Sequence, residues 1–327
     1  MSQSEKAVVW AKKNLLRAGQ TNVLSQSMIA DTSYSTVYKF VTTNGIFYLK
    51  IVPKELFMEC DMLDMFYKLN IDSTPKCLAK NAELNAFLMP SCGNITLRKM
   101  FDGKIDLALI KKGIAQFTKI QRSFEGHVNS LLSMGAPDWR LEKFQNSYER
   151  LIQNKELLLS DGLTPNEIKQ LQSLQTKHRD LCEELSNYNI PDTINHGDFH
   201  ENNIILDQET SKVTIIDWGE VTISHPFFSL NGCLWNLVHF NDLKEGSEKY
   251  NELKLNCVSP WLDLYDEATL LRLLSVANQL NGVFAALTYE QLYLITKDKN
   301  NGVQHQHPGS IAGCLRTFIA SVSAHKS

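Results

Sequence analysis

The stretch from His196 to Asp217, reading HGDFHENNIILDQETSKVTIID, constrains this chain more than any other. Asp198 precedes Asn203 by five residues, and an apolar strand, a turn and a second apolar strand then lead to Asp217. A carboxylate on a tight loop, an amide at its far end and a second carboxylate at a strand terminus can serve one divalent cation and one hydroxyl. Hard oxygen ligands suit magnesium held against phosphates, and a further carboxylate suits an attacking hydroxyl, so the pattern points to phosphoryl transfer.

Two blander readings stand beside this one. His196, Asp198 and His200 alternate along the chain as the ligands of a metal hydrolase do, and the run could also be a polar loop without chemistry. Neither uses Asn203 or Asp217, whereas phosphoryl transfer uses both. The Asp-to-Asn spacing is that of the protein kinase pattern H-R-D-x-x-x-x-N, with Asp217-Trp218-Gly219 in place of D-F-G. His196-Gly197-Asp198-Phe199-His200-Glu201-Asn202-Asn203-Ile204-Ile205-Leu206 resembles the H-G-D-x-H-x-x-N-I-L signature of the aminoglycoside phosphotransferase and choline kinase families. Ile215-Ile216-Asp217-Trp218 is similar to the I-D-W that follows it there.

That resemblance implies an α+β, two-lobed protein kinase-like fold: a small antiparallel β-sheet lobe over residues 1–90 and a larger, mainly helical lobe over 91–327. It implies an enzyme that moves the γ-phosphate of ATP, or of another nucleoside triphosphate, with Mg2+, to a hydroxyl of a small molecule. Aminoglycosides, amino alcohols, amino acids and sugars are acceptors of relatives. Asp198 is then the group that accepts or orients the hydroxyl proton. Asn203 and Asp217 are the magnesium ligands. His200 contacts phosphate or ties down the loop.

Composition agrees with a cytoplasmic enzyme. The 327 residues are 43% hydrophobic, enough for a sizeable core. Lys and Arg number 33 against 36 Asp and Glu, a balance without the clustered positive charge of a nucleic-acid surface. The seven cysteines lack a close C-x-x-C pair and read as reduced thiols. No amino-terminal signal is evident, and no apolar run reads as a membrane span.

Toward the amino terminus, residues 5 to 17 have helical spacing. Val37 to Val41 and Ile46 to Val52 form a hairpin through Asn44-Gly45, a pair that tolerates positive φ. Lys50 falls within its second strand; the resemblance makes it the lysine that binds the nucleotide phosphates, although a lone strand lysine commonly faces solvent. A helix over Lys54 to Leu69 carries Glu59, its expected partner, with Glu55 as competitor. Before the hairpin, Asp31-Thr32-Ser33-Tyr34-Ser35-Thr36 lacks the glycines of a phosphate-covering loop, and leaves Ser33 and Ser35 as hydroxyl donors. The missing glycines also motivate a second hypothesis, a nucleotide-binding scaffold that has lost transfer activity.

Short strands at Lys76–Lys80 and Leu84–Pro90 complete a five-stranded antiparallel sheet. Pro90-Ser91-Cys92-Gly93 is the expected hinge, with Met89, Ser91 and Cys92 at the adenine edge. Beyond it the spacing predicts helices at Ile105–Ile120, Leu141–Leu159 and from Thr164-Pro165-Asn166-Glu167, a capping box, toward Pro191. Leu230–Phe240, Leu262–Leu280 and Ile311–Val322 are apolar and periodic. The aromatic and acidic run from Trp261 to Glu267 reads as a helix start, with an amine-binding patch as the sharper alternative. Residues 297 to 308 read as a polar loop. Where the family has acidic residues after Asp217, this chain has His225 and Ser229, which puts their bracing role in question.

Overall fold

The computed structural model describes residues 1–20, 22–297 and 307–324. In chain order, helix α1 (Gln3–Arg17) leads to strands β1 (Val23–Asp31), β2 (Thr36–Thr42) and β3 (Gly45–Ile51). Helix α2 (Met58–Lys68), β4 (Ala79–Asn81), β5 (Ala86–Pro90) and β6 (Ile95–Thr96) follow. Next come helices α3 (Leu97–Phe101), α4 (Leu107–Phe124), α5 (Val128–Ser133), α6 (Leu141–Gln153), α7 (Lys155–Ser160), α8 (Pro165–Ser173) and α9 (Gln175–Ser186). Strands β7 (Thr193–His196), β8 (Ile204–Asp207), β9 (Lys212–Ile215) and β10 (Val221–Ser224) precede α10 (Phe227–Phe240), α11 (Glu248–Val258), α12 (Glu267–Thr296) and α13 (Ser310–Ala324).

Two compact units result. The first holds Met1–Thr96, Ile204–Gly219 and residues 292–297; the second holds Leu97–Asn203, Glu220–Gln291 and residues 307–324.

In the first unit, β1-β2-β3-β5-β4 form an antiparallel five-stranded sheet. Ser2 and Glu5 close a reciprocal capping box on α1. The four-residue spacing of Ala7, Ala11 and Leu15 gives that helix one apolar stripe, which packs in a cluster with Phe40, Phe47 and Leu49 of the sheet. The expected β2–β3 hairpin forms, but its turn is Thr43-Asn44, one residue earlier than the Asn44-Gly45 of the sequence reading, because Gly45 pairs with Thr42 as the first residue of β3. Strand β1 supplies the edge strand that the sequence pattern does not reveal. Its residues are exposed almost throughout and its register slips twice against β2, so no apolar alternation marks it. A smaller sheet pairs β6, β8 and β9. Gly93, at φ +152°, makes that pairing possible, since a Cβ there would stand 2.6 Å from the carbonyl oxygen of Leu206.

The second unit is mainly helical around the short β7–β10 pair. Helix α4 buries Ile110, Ile114, Phe117 and Phe124, and Phe117 stacks on Phe199 at 4.0 Å, which seats the loop after β7 on this helix. The predicted helix at 141–159 is two helices, because Asn154 ends α6 and its side chain caps α7 at Leu157. Thr164 and Glu167 make the predicted capping box, but the helix they open breaks at Leu174 and restarts as α9. Trp261 is buried with its indole N–H on Glu125, and Asp266 caps Thr269 at the start of α12, so this run is a helix start.

Helix α12 is longer than its sequence pattern suggested. It has the length and apolarity to cross a membrane, and 67% of its apolar window is buried inside the protein, as in a core helix. The seven cysteines are free thiols. Residues 298–306 of the expected polar loop lie outside the described residues.

Candidate active site

Within the first unit, β3 delivers Lys50 into the interior, where its ammonium lies 2.6 Å from Glu59 Oε2 and also bonds Asp217 Oδ1. Glu59, buried on α2, and not Glu55, is the partner. Burial alone would lower the lysine's pKa; the charges of Asp217 and Glu59 and their hydrogen bonds outweigh it, so Lys50 is held protonated above its ordinary range. Asp217 sits at the end of the β8–β9 hairpin with φ +68°, a left-handed conformation that aspartate tolerates better than most residues. Trp218 fixes it there. Its indole N–H donates to the Ile215 carbonyl at 2.9 Å and its ring meets Phe66 edge-on at 4.6 Å.

The segment after β5 presents backbone in a defined order. Ser91 N–H donates to the Ile46 carbonyl at 2.8 Å, and Pro90 has no N–H. Because antiparallel pairing alternates sides, the Pro90 carbonyl faces away from β3, where the Cys92 thiol donates to it at 3.8 Å. Ser91 Oγ donates to the Gly93 carbonyl at 2.8 Å, and the Cys92 thiol, half-buried, has its pKa pushed up to about 11 by burial. The loop between β1 and β2 is closed by Thr32: its hydroxyl donates to the Ser35 carbonyl at 3.0 Å and accepts the Ser35 N–H at 2.9 Å. That hydroxyl is spent within the turn.

In the second unit, β7 ends on His196 and the chain turns at Gly197, where a Cβ would come 2.9 Å from the Glu220 carbonyl oxygen. This close approach explains glycine at a position where the kinase pattern has arginine. Asp198 N–H donates to His196 Nδ1 at 3.1 Å. The Asp198 side chain, 51% exposed, takes two hydrogen bonds: His200 Nε2 at 3.0 Å on Oδ1 and Asn203 Nδ2 at 3.0 Å on Oδ2. Since His200 Nδ1 accepts the Asn202 N–H at 3.1 Å, Nε2 carries the proton in the neutral ring. Burial works to raise the Asp198 pKa, but the bond and charge of His200, the charge of His196 and the Asn203 amide leave it below the usual range. Asn203 Nδ2 also donates to the Asp198 carbonyl at 2.8 Å, so the amide nitrogen is committed and the harder oxygen is the end left for a cation. Among the described residues, no three His, Cys, Asp or Glu side chains come together as a metal-binding group.

Sequence reasoning did not see what braces this loop. Ser229 Oγ accepts the His196 N–H at 2.9 Å and lies 3.0 Å from the His196 carbonyl and 2.9 Å from Asn195 Oδ1. A hydroxyl at the start of α10 therefore supports the loop where an acid was expected. His225 is buried and neutral, its pKa lowered by burial to about 3.

Asp198 opens on a cavity of about 380 Å3 within the second unit, lined also by Glu220, Phe228, Trp235, Phe284 and Tyr289. Among the described residues, its lining contains no lysine or arginine.

The sequence matches the family described as "Phosphotransferase enzyme family" (APH) over residues 28–252, more than half of the chain. The chain belongs to that family. This phosphotransferase has no match among curated proteins. Solved structures similar to it include an ethanolamine kinase of Plasmodium vivax, 12% identical with a TM-score of 0.63 over 96% of this chain and 88% of that one. The choline kinase LicA of Streptococcus pneumoniae is 14% identical, TM-score 0.62, over 99% of this chain and 100% of that one. APH(2'')-IIIa in complex with GDP and kanamycin is 14% identical, TM-score 0.60, over 97% and 99%. At these identities the likeness establishes the fold, which is the two-lobed, α+β protein kinase-like architecture.

Proposed function

We propose that this phosphotransferase moves the γ-phosphate of ATP to a hydroxyl of a small, amine-bearing molecule, with Mg2+ bound. The observation that carries the reading is the Asp198 carboxylate, hydrogen-bonded and ionised, facing an aromatic cavity with no lysine or arginine among its described lining residues. The volume of about 380 Å3 is that of a small-molecule site. Two carboxylates and five Phe, Trp and Tyr side chains among the lining residues suit an acceptor with a compact positive charge, through charge pairing and cation–π contact. An amino alcohol fits this lining better than a polycationic aminoglycoside, which calls for more acids.

Lys50, held charged by Glu59 and Asp217, is the proposed phosphate ligand, and Ser33 and Ser35 are the proposed hydroxyl donors of the covering turn. Alongside Met89, Ser91 and Cys92, the Pro90 carbonyl and Cys92 N–H are the proposed acceptor and donor for an adenine edge. Asn203 and Asp217 are the proposed magnesium ligands, and their amide and carboxylate oxygens fit that cation. When bound, magnesium would neutralise phosphate charge. As the acceptor oxygen bonds to phosphorus and the bond to ADP breaks, Asp198 takes the hydroxyl proton and later releases it to water. His200 holds Asp198 in place and lends it a hydrogen bond. A cytoplasmic setting follows from the substrates this reading requires.

The test is ADP release from ATP and Mg2+ over a panel of choline, ethanolamine, homoserine, sugars and kanamycin. Acceptor-dependent turnover with an amino alcohol supports the reading. ATP binding without turnover on any acceptor would favour the silent-scaffold alternative.

A further inference from the structure

Glu201 follows His200 in the catalytic loop and is completely buried, an unusual place for a carboxylate. Its Oε1 accepts from Arg98 Nε at 2.8 Å and from Asn241 Nδ2 at 3.1 Å. Nothing among the described residues bonds its Oε2. Burying a charge is costly unless it is paired, and an apolar side chain would fill this position at less cost. The ion pair therefore calls for a reason beyond stability.

Arg98, on α3, supplies one. Its guanidinium reaches three places at once: Glu201 in the loop, Asn236 Oδ1 at 3.3 Å and the face of Phe240, whose ring centre is 4.4 Å away. Asn236 and Phe240 lie on α10, and Asn236 also lines the cavity that Asp198 faces. The Asn236 amide cannot turn freely, because its Nδ2 donates to the Gly232 carbonyl at 3.0 Å. A planar, always charged fork can hold such a set in one geometry, which a flexible ammonium cannot.

We infer that Arg98, paired with Glu201, is a positioning residue that keeps Asp198 in register with the cavity wall on α10. The inference rests on the reading of that cavity as the acceptor site. Glu201 is the loop's anchor, Asn236 is the wall's, and Arg98 joins them. Acceptor seated against Asn236 thereby steadies the loop that carries Asp198.

The experiment compares the full chain with R98M, R98K, E201Q and the R98M/E201Q double variant, by hydrogen exchange and by kinetics with ATP and ethanolamine. In R98M, amide exchange across residues 198–203 rises about tenfold, acceptor KM rises several-fold, kcat falls about tenfold and nucleotide KM stays put. A simple loss of folded enzyme lowers kcat but moves neither KM. R98K restores protection of the loop in part, through its charge on Glu201, and leaves acceptor KM high. The double variant is no worse than R98M, because both changes break one link. Unchanged exchange in R98M overturns the inference, as do additive losses in the double variant or equal shifts in both KM values. A wild-type enzyme that ignores ethanolamine counts against the acceptor reading, and the exchange comparison then decides the positioning role by itself.

Discussion

His200 Nε2 lies 3.0 Å from Asp198 Oδ1, and its other ring nitrogen is occupied by the Asn202 N–H. The imidazole is thus a fixed donor that aims one carboxylate oxygen while Asn203 aims the other. Replacing His200 by Gln keeps one donor but loses the bridge. We expect kcat to fall about 10- to 100-fold with little change in nucleotide affinity. Titration calorimetry beside steady-state kinetics checks this, and a rise in nucleotide Kd matching the loss of kcat would place His200 on the phosphates instead.

Lys50 and Glu59 form a buried pair at 2.6 Å. Glu59→Ala leaves the ammonium with Asp217 alone. Breaking a buried pair costs about 3–5 kcal/mol. The variant should unfold at distinctly lower urea and bind ATP more weakly, whereas Glu55→Ala should do neither. Parallel urea and ATP-binding titrations of the two variants make the comparison, and equal behaviour would mean that the pair matters little.

Asp217 bonds Lys50 and lies half-exposed at the end of its hairpin. Asp217→Asn should retain the fold, since asparagine also tolerates positive φ. It should remove the gain in ATP affinity that Mg2+ gives the wild type. Thermal shifts with ATP, with and without Mg2+, would contradict this if both proteins gained the same stability from the metal.

Much of this arrangement was legible because it lies in contiguous sequence or strong periodicity. Asp198 and Asn203 share one loop, Asp217 ends an apolar strand, and Thr164 and Glu167 spell their own cap. What stayed hidden depends on long-range contact. Strand β1 has no apolar alternation because it is an exposed edge. The breaks at Asn154 and Leu174 interrupt runs whose leucines continue on either side. The pairing of Arg98 with Glu201 spans 103 residues, and no local pattern reports it. Ser229 gave no signal either, since it takes over a brace from a residue type that bonds differently.

His178 and His225 are buried and neutral, each with its pKa lowered by burial from 6.5 to about 3, and the Nε2 of each lacks a partner among the described residues. The unfolded chain protonates them first. Their contribution to stability is therefore complete above pH 6.5 and is lost as pH falls toward 3, by up to about 1.4 kcal/mol per pH unit for each ring. His178→Phe, which preserves the stack on Tyr148, should flatten the loss between pH 6 and pH 5. Urea melts across that interval measure it, and an unchanged slope would show that His178 does not drive acid sensitivity.

Glu220 lines the cavity with Asp198. Glu220→Gln should raise the KM of an ammonium-bearing acceptor about tenfold and leave that of an uncharged sugar alcohol nearly unchanged. Kinetics on such a pair of acceptors would reject the charge-pairing argument if both KM values moved alike.

The most direct measurement is transfer of labelled γ-phosphate from ATP to an amino alcohol, comparing wild type with Asp198→Ala at matched nucleotide occupancy. Labelled phosphate ester should form with the wild type and Mg2+, and about 100- to 10,000-fold more slowly with the variant. Transfer by Asp198→Ala at close to the wild-type rate would contradict the assignment of Asp198 as the group that receives the hydroxyl proton.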